Sequence, residues 1–197
     1  MIIIQHRVNE VAKLLQTPKI LGVEVDIRSD RNQLYLAHDP FMSGTPFSEY
    51  LDNFDHAFIV LNVKEEGLEQ RCLDLLKERG IKDYFFLDQS MPFLIRRGIQ
   101  GAKDGACRVS EYESLGTVEN LAEMCEWVWL DSFNSSQSTV AMLSQLKDLG
   151  LRICLVSPEL HGAHRDGEAV EMVNEIISSN SNIDAVCTKF PEMWSRL

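Results

Sequence analysis

Strand-like apolar runs and helical patterns alternate along the whole chain, and this order restricts the folds that it can adopt. Eight short apolar runs, rich in Ile, Val and aromatic residues, are separated mostly by amphipathic helical patterns. The runs are apolar on both faces, which is typical of parallel strands that are buried on both sides. Repeated strand–helix–strand order predicts an α/β fold with a parallel sheet. The predicted strands cover residues 2–5, 20–27, 57–63, 84–88, 106–110, 127–131, 151–157 and 183–188.

The helical patterns and the strand count together favour a (β/α)8 barrel, also called a TIM barrel. The sequence "SDRN" supplies turn residues after the second strand, and "QLYLAH" returns from them, so a small hairpin is predicted there. An open doubly wound sheet is the alternative, although no glycine-rich phosphate loop follows the first strand. The predicted helices cover residues 8–16, 68–80, 91–98, 117–126, 135–150 and 167–179.

Length and charge limit the function classes. A chain of 197 residues fits a single domain, 1–197, and a barrel of this size must be compact with short loops. The net charge of −11 argues against a nucleic-acid partner, because phosphate backbones require clustered Lys and Arg. No apolar run reaches the roughly 20 residues that a membrane span requires. The five cysteines form no C-x-x-C pair, and we expect reduced thiols in a cytoplasmic protein.

Polar residues end nearly every predicted strand. The active site of a (β/α)8 barrel lies at the C-terminal ends of its strands, so these residues are the candidate site. Strand ends also meet solvent in any barrel, which explains single polar residues but less well a complete set. The set comprises His6, Arg7, Glu24, Asp26, Arg28, His38, Asp39, Asn62, Lys64, Asp88, Gln89, Arg108, Ser110, Asp131, Ser132, Ser157, Glu159, Thr188 and Lys189.

The second strand carries the most informative pair. Glu24 and Asp26 alternate with Val23, Val25 and Ile27, so both carboxylates lie on one face of the strand. Two neighbouring carboxylates either share a proton, pair with cations or bind a metal. The nearby Arg28 is a candidate to neutralise one of them. Mg²⁺ or Ca²⁺ would neutralise both, since these ions prefer oxygen ligands.

Two histidines accompany the acidic strand. His6 follows the first strand and His38 lies on the return of the hairpin. Histidine titrates near neutral pH and is the usual general acid or base, although a lone histidine is more often a structural hydrogen-bonding group. His56 is a weaker candidate, and we expect the loop that carries His161 and His164 to be solvated.

These motifs resemble the glycerophosphodiester phosphodiesterase family of the phosphatidylinositol-phospholipase-C-like barrel superfamily. The resemblance is carried by "HR" after the first strand, "VEVDIR" on the second and "LAHDP" on the hairpin return. "TPFSEYL", "LNVK" and "IDAVCTKFPEMWSRL" are similar to later family segments. The resemblance implies a TIM barrel that hydrolyses a small-molecule glycerophosphodiester in lipid metabolism, with Mg²⁺ or Ca²⁺ as cofactor.

The resemblance also implies a role for each residue that matches a family motif. The acid/base pair is His6 and His38, the phosphate contacts are Arg7 and Lys64, and the metal ligands are Glu24, Asp26 and, in place of a third acid, Asn62.

The chain departs from the family pattern at four points. Val8 stands where the family has glycine, Asn62 replaces the third acidic ligand, and Lys189 replaces an aspartate in the last motif. The insertion that many members carry after the second histidine is mostly missing. These departures keep two alternatives open: a weakly active or inactive barrel that binds phosphate or a sugar phosphate, and a lyase that produces a cyclic phosphate.

Overall fold

A computed structural model describes residues 1–134 and 137–196 of the chain, and for residues 137–141 it describes the backbone alone. Ser135 and Ser136, where the predicted helix 135–150 begins, lie outside the described residues.

Within this part of the chain, eight parallel strands and a short antiparallel hairpin form one curved sheet. The parallel strands are paired in the order β1, β2, β5, β6 on one side and β1, β10, β9, β8, β7 on the other. Because β10 pairs with β1, the last strand lies beside the first, as in a barrel. The strands are β1 Ile2–Gln5, β2 Gly22–Asp30, β3 Gln33–Leu36, β4 Thr45–Pro46, β5 Phe58–Val63, β6 Tyr84–Leu87, β7 Ala106–Val109, β8 Trp127–Leu130, β9 Arg152–Val156 and β10 Ala185–Thr188.

The predicted (β/α)8 fold is therefore confirmed, and the doubly wound alternative is wrong. The predicted hairpin is also confirmed, because β3 runs antiparallel to the upper half of β2. The barrel closes weakly between β6 and β7. Of the residues described there, Phe86 and Gly105 alone form a bridge between the two strands. We call this joint the β6–β7 seam.

The helices surround the sheet. The predicted helices are found with shifted ends, whereas the short helices α2 and α8 were not predicted. The predicted helix 117–126 begins earlier in the structure, because the extended backbone of Ser114 precedes the first helical residue, Leu115. No helix of the described residues is both long enough and apolar enough to cross a membrane. The helices are α1 Val11–Gln16, α2 Phe47–Asp52, α3 Glu69–Glu78, α4 Met91–Ile99, α5 Leu115–Leu121, α6 Gln137–Asp148, α7 Asp166–Ser179 and α8 Pro191–Trp194.

Large aromatic side chains fill the inside of the barrel. Phe58, Phe85, Trp127 and Trp129 are buried there, and the Phe85 and Trp127 rings lie 4.8 Å apart. The two indoles, which alternate along β8, both belong to this inner core. The interior is thus packed and is not a pore, so the proposed site is sought at the mouth, at the C-terminal ends of the strands.

The cysteines correct one expectation. Cys107 on β7 and Cys125 form a disulfide across 18 residues of sequence, although all five cysteines were expected to be reduced. Their spacing gave no indication, because the contact arises only when α5 folds back against β7. Cys72, Cys154 and Cys187 are buried free thiols, which agrees with the expected reduced state for these three. Burial raises the pKa of the Cys72 thiol to about 12.

Candidate active site

The acid pair of β2 lies at the mouth of the barrel. Glu24 and Asp26 are each 1 % exposed, and β2 pairs with β5 so that Asp26 lies beside Asn62. The Asn62 amide donates from Nδ2 to Oε1 of Glu24 over 3.0 Å. Period-two alternation places the two acids on one face of β2, as predicted, and the pairing of β2 with β5 adds the amide of Asn62.

Glu24 is held by the end of β1. Its Oε2 accepts a hydrogen bond of 2.8 Å from the backbone N–H of Arg7, and it lies 3.8 Å from Nε2 of His6. Burial, and after it the charge of Asp26, raises the pKa of Glu24 to about 7. A carboxyl in this position gains stability from any positive charge that is brought to it.

Asp26 has three partners. Its Oδ1 lies 3.1 Å from Nζ of Lys64, and its Oδ2 lies 3.6 Å from Nε of Arg7. Asn9 donates to the same Oδ2 over 2.8 Å and accepts from the Asp26 backbone N–H over 2.8 Å. Asn9 was not predicted as a site residue, because the predicted helix 8–16 includes it. In the structure this helix begins at Val11.

The backbone at the end of β1 is shaped for this contact. Arg7 has φ +52°, a left-handed conformation that is uncommon outside glycine, and it turns the N–H toward Glu24. Val8, which replaces the family glycine, is fully buried in the core outside the barrel and so leaves the mouth clear. Burial, and next the charge of Arg7, lowers the pKa of His6 to about 3. The imidazole is therefore neutral at physiological pH.

His38 lies at the rim and not against the acids. The backbone N–H of Ala37 donates to the Asp26 carbonyl over 3.0 Å, which brings the hairpin return to the mouth. The His38 ring is 41 % exposed and has its Nδ1 2.7 Å from Oδ1 of Asp39. Arg28 was a candidate to neutralise one of the acids, but it donates to the His38 carbonyl instead. Lys64 and Arg7 are the cations that lie against Asp26.

The donor set at the acid pair fits a hard cation. Oδ1 of Asn62 is buried and accepts no hydrogen bond from the residues that the structure describes. Two carboxylates and one such amide oxygen suit Mg²⁺ or Ca²⁺. No group of three or more His, Cys, Asp or Glu side chains in the described ranges is arranged to hold a metal. Asn62 would thus have to supply the third ligand.

A chain of ion pairs continues around the mouth from Lys64. Nζ of Lys64 lies 3.8 Å from Oδ2 of Asp88, and Arg108 pairs with Oδ1 of the same aspartate. Arg108 also pairs with Asp131 at 2.5 Å. Asp88 has φ +60°, so a second strand ends at the mouth in a left-handed residue. Backbone strain of this kind clusters at functional sites.

The chain of ion pairs ends at His161, which was not predicted as a site residue. Nε2 of His161 lies 2.6 Å from Oδ1 of Asp131, and the ring packs against Phe133 at 4.6 Å between centroids. The loop was expected to be solvated, but its Glu159 is 1 % exposed and accepts from Thr188 and from the Lys189 backbone. The available signal for Asp131 and Glu159 was their place after predicted strands, and His161 has no such place.

The fold is similar to that of three solved structures. A glycerophosphodiester phosphodiesterase from Agrobacterium tumefaciens str. C58 superposes with a TM-score of 0.69 at 14% identity, covering 98% of this chain and 99% of that chain. A putative glycerophosphoryl diester phosphodiesterase from the same organism gives 0.68 at 12%, covering 98% and 95%. A glycerophosphoryl diester phosphodiesterase from Parabacteroides distasonis ATCC 8503 gives 0.65 at 10%, covering 99% and 85%.

These matches extend over nearly the whole chain and confirm, at the level of the fold, the family resemblance seen in the sequence. The sequence itself matches no protein-family model and no curated protein.

Proposed function

We propose that this protein hydrolyses small phosphodiesters of the glycerophosphodiester type with the help of a divalent cation. One observation carries the proposal. In a barrel shared with glycerophosphodiester phosphodiesterases, the buried pair Glu24 and Asp26 meets the amide oxygen of Asn62, which has no hydrogen-bond partner among the described residues. A neutral imidazole and two cationic side chains lie beside them.

Arg7 and Lys64 bind the phosphate in this proposal. Both cations lie against Asp26, and the Arg7 side chain is 45 % exposed, so its guanidinium can reach a ligand in the mouth. Glu24, Asp26 and Asn62 would hold Mg²⁺ or Ca²⁺, which supplies charge for the phosphoryl oxygens when bound. The net charge of −11 opposes a polynucleotide, so the substrate is a small molecule.

The two histidines transfer protons. Nε2 of His6 lies 3.8 Å from Glu24, so the proton that His6 takes from the attacking hydroxyl is stabilised by that carboxylate. His38 is held by Asp39 at the rim, where the leaving alkoxide would emerge, and it donates the proton that this poor leaving group needs. The attacking hydroxyl belongs either to water or to the substrate itself, and the latter route first gives a cyclic phosphate.

A non-catalytic phosphate-binding barrel is the second candidate. It is favoured by the contacts of Asp26, whose oxygens are already engaged by Lys64 and Asn9. In such a barrel the acids would serve to orient the cations around a bound phosphate.

The test is ³¹P NMR of glycerophosphocholine incubated with the protein and Mg²⁺ or Ca²⁺. We expect a phosphomonoester product that disappears in His6→Ala and in His38→Ala and is retained in the exposed control His164→Ala. A cyclic phosphate as the final product would identify a lyase. Full activity in both histidine variants would contradict the acid/base assignment, and line broadening without any product would favour the binding barrel.

A further inference from the structure

A cavity of about 370 Å³ opens beside the mouth at the β6–β7 seam. Asp88 and Arg108 line it on the side of the acid pair, and Leu87, Leu94 and Leu121 form its apolar walls. We call this cavity the seam pocket. Its volume lies at the lower end of the range for ligand sites, roughly 300–1,000 Å³.

The seam pocket lies in the wall of the barrel. Ala106 belongs to the core inside the barrel, whereas Cys107 belongs to the core between the sheet and the helices. Successive side chains of a strand point to opposite faces, so the lining of the pocket extends from the inner side of the sheet to its helix-covered side along the β6–β7 seam. The two strands are bridged at Phe86 and Gly105 alone among the described residues, so no regular ladder closes the wall beside that bridge.

Asp88 lies between the seam pocket and the proposed phosphate site. One oxygen of Asp88 lies 3.8 Å from Nζ of Lys64, and the other pairs with Arg108, which lines the pocket. The same carboxylate thus borders both spaces. A diester whose phosphate rests between Arg7 and Lys64 can extend one of its two alcohol arms past Asp88 into the pocket.

The lining selects the chemistry of that arm. The Arg108 guanidinium faces the carboxylates of Asp88, Glu113 and Asp131, so acids outnumber cations among the described side chains of this rim. This excess of negative charge repels an anionic arm. The leucine walls favour apolar surface, since its burial contributes roughly 25 cal/mol per Å².

We propose that the seam pocket binds one alcohol arm of the phosphodiester, and that this arm is compact, largely apolar and without negative charge, such as a short alkyl group or a single ring. The assignment of the arm rests on the proposed function. Thr117 of α5 lies in the lining and is partly exposed, so a larger side chain there narrows the pocket without entering the core. Asn120 lies on the same helix, is exposed and is not part of the lining.

The experiment compares methyl, benzyl and carboxymethyl esters of glycerol phosphate as substrates. We expect kcat/KM to be about tenfold higher for the benzyl ester than for the methyl ester, and lowest for the carboxymethyl ester. In Thr117→Phe the ratio of benzyl to methyl should fall by about tenfold, whereas Asn120→Phe should keep the wild-type ratio. A preference for the carboxymethyl ester, or an unchanged ratio in Thr117→Phe, would overturn the proposal.

Binding of benzyl alcohol, followed by saturation-transfer NMR, tests the pocket without turnover. Binding to the wild type and to Asn120→Phe, but not to Thr117→Phe, supports the pocket even if none of the esters reacts. That combination would refute the proposed hydrolysis while leaving the ligand site in place. Equal signals from all three proteins, or no signal from any, would refute the seam pocket itself.

Discussion

Asn62 determines the electrostatics of the acid pair at the scale of single residues. Its Nδ2 donates to Glu24, which an acid at this position could not do, and its Oδ1 stays available to a cation. The amide therefore relieves the repulsion between Glu24 and Asp26 in the absence of metal. A hard cation is held by the number of charged oxygen ligands, so the same amide weakens its binding.

Asn62→Asp should tighten the binding of Mg²⁺ or Ca²⁺ by about tenfold, because it restores a third carboxylate. Without the cation it should lower the free energy of unfolding, since three buried carboxylates repel one another. Isothermal titration calorimetry and urea unfolding in EDTA measure the two effects. The matched control is Asn62→Leu, which removes the oxygen ligand and should bind the cation more weakly than wild type. Equal affinities of the two variants would show that position 62 is no ligand.

The site residues differ in how far the sequence could reveal them. Glu24 and Asp26 follow from the alternation along β2, and His6 follows from its place after β1. Asn9 and His161 could not be predicted, because their contacts depend on the path of a loop. Asn9 lies in the turn before α1, and His161 reaches Asp131 from a loop 30 residues further along the chain.

At the scale of elements, β7 is held differently on its two sides. It forms a regular ladder with β8, but toward β6 it has the bridge between Phe86 and Gly105. The disulfide from Cys107 to Cys125 ties β7 instead to the segment that follows α5. This bond limits the separation of β7 from the segment that follows α5.

Reduction of the disulfide should lower the free energy of unfolding by about 3 kcal/mol, the value expected from chain entropy for a closed loop of this length. Urea unfolding with and without dithiothreitol measures the loss. The control is Cys125→Ser, whose stability should not respond to dithiothreitol. No response in the wild type would show that the bond is not formed in solution. The state of the bond in cells also tests the predicted cytoplasmic location, where thiols are kept reduced.

At the scale of the whole molecule, the order of strands and helices was predictable, but how regularly each pair of neighbouring strands is hydrogen-bonded was not. Eight β-rich runs with helical patterns between them suffice for a barrel, since connections between parallel strands are right-handed and neighbours in sequence pair. The seam depends on how many residues of β6 and β7 pair with each other, and no local sequence pattern indicates this number. The ladder of β1 with β10 joins the first and last strands, which supports the proposal that residues 1–197 form one domain.

The net charge of −11 complicates any test of metal dependence, because a divalent cation stabilises such a protein without a specific site. A site held by Glu24, Asp26 and Asn62 adds about 2.7 kcal/mol at a cation concentration one hundred times its Kd. Two variants with the same change in charge separate the contributions. Asp26→Asn removes a proposed ligand, whereas Asp30→Asn removes an exposed acid of the same strand.

In thermal unfolding, Mg²⁺ or Ca²⁺ should raise the Tm of the wild type and of Asp30→Asn by similar amounts, and the rise should saturate. In Asp26→Asn the saturating part of the rise in Tm should disappear. A small rise that grows steadily with the concentration of the cation should remain. It should be lost at high NaCl, because exposed charges are screened by salt. Identical curves for the two variants would show that the cation acts on the overall charge of the molecule. Among the residues proposed for the site, Arg7 and Lys64 would then supply the only positive charges for the phosphate.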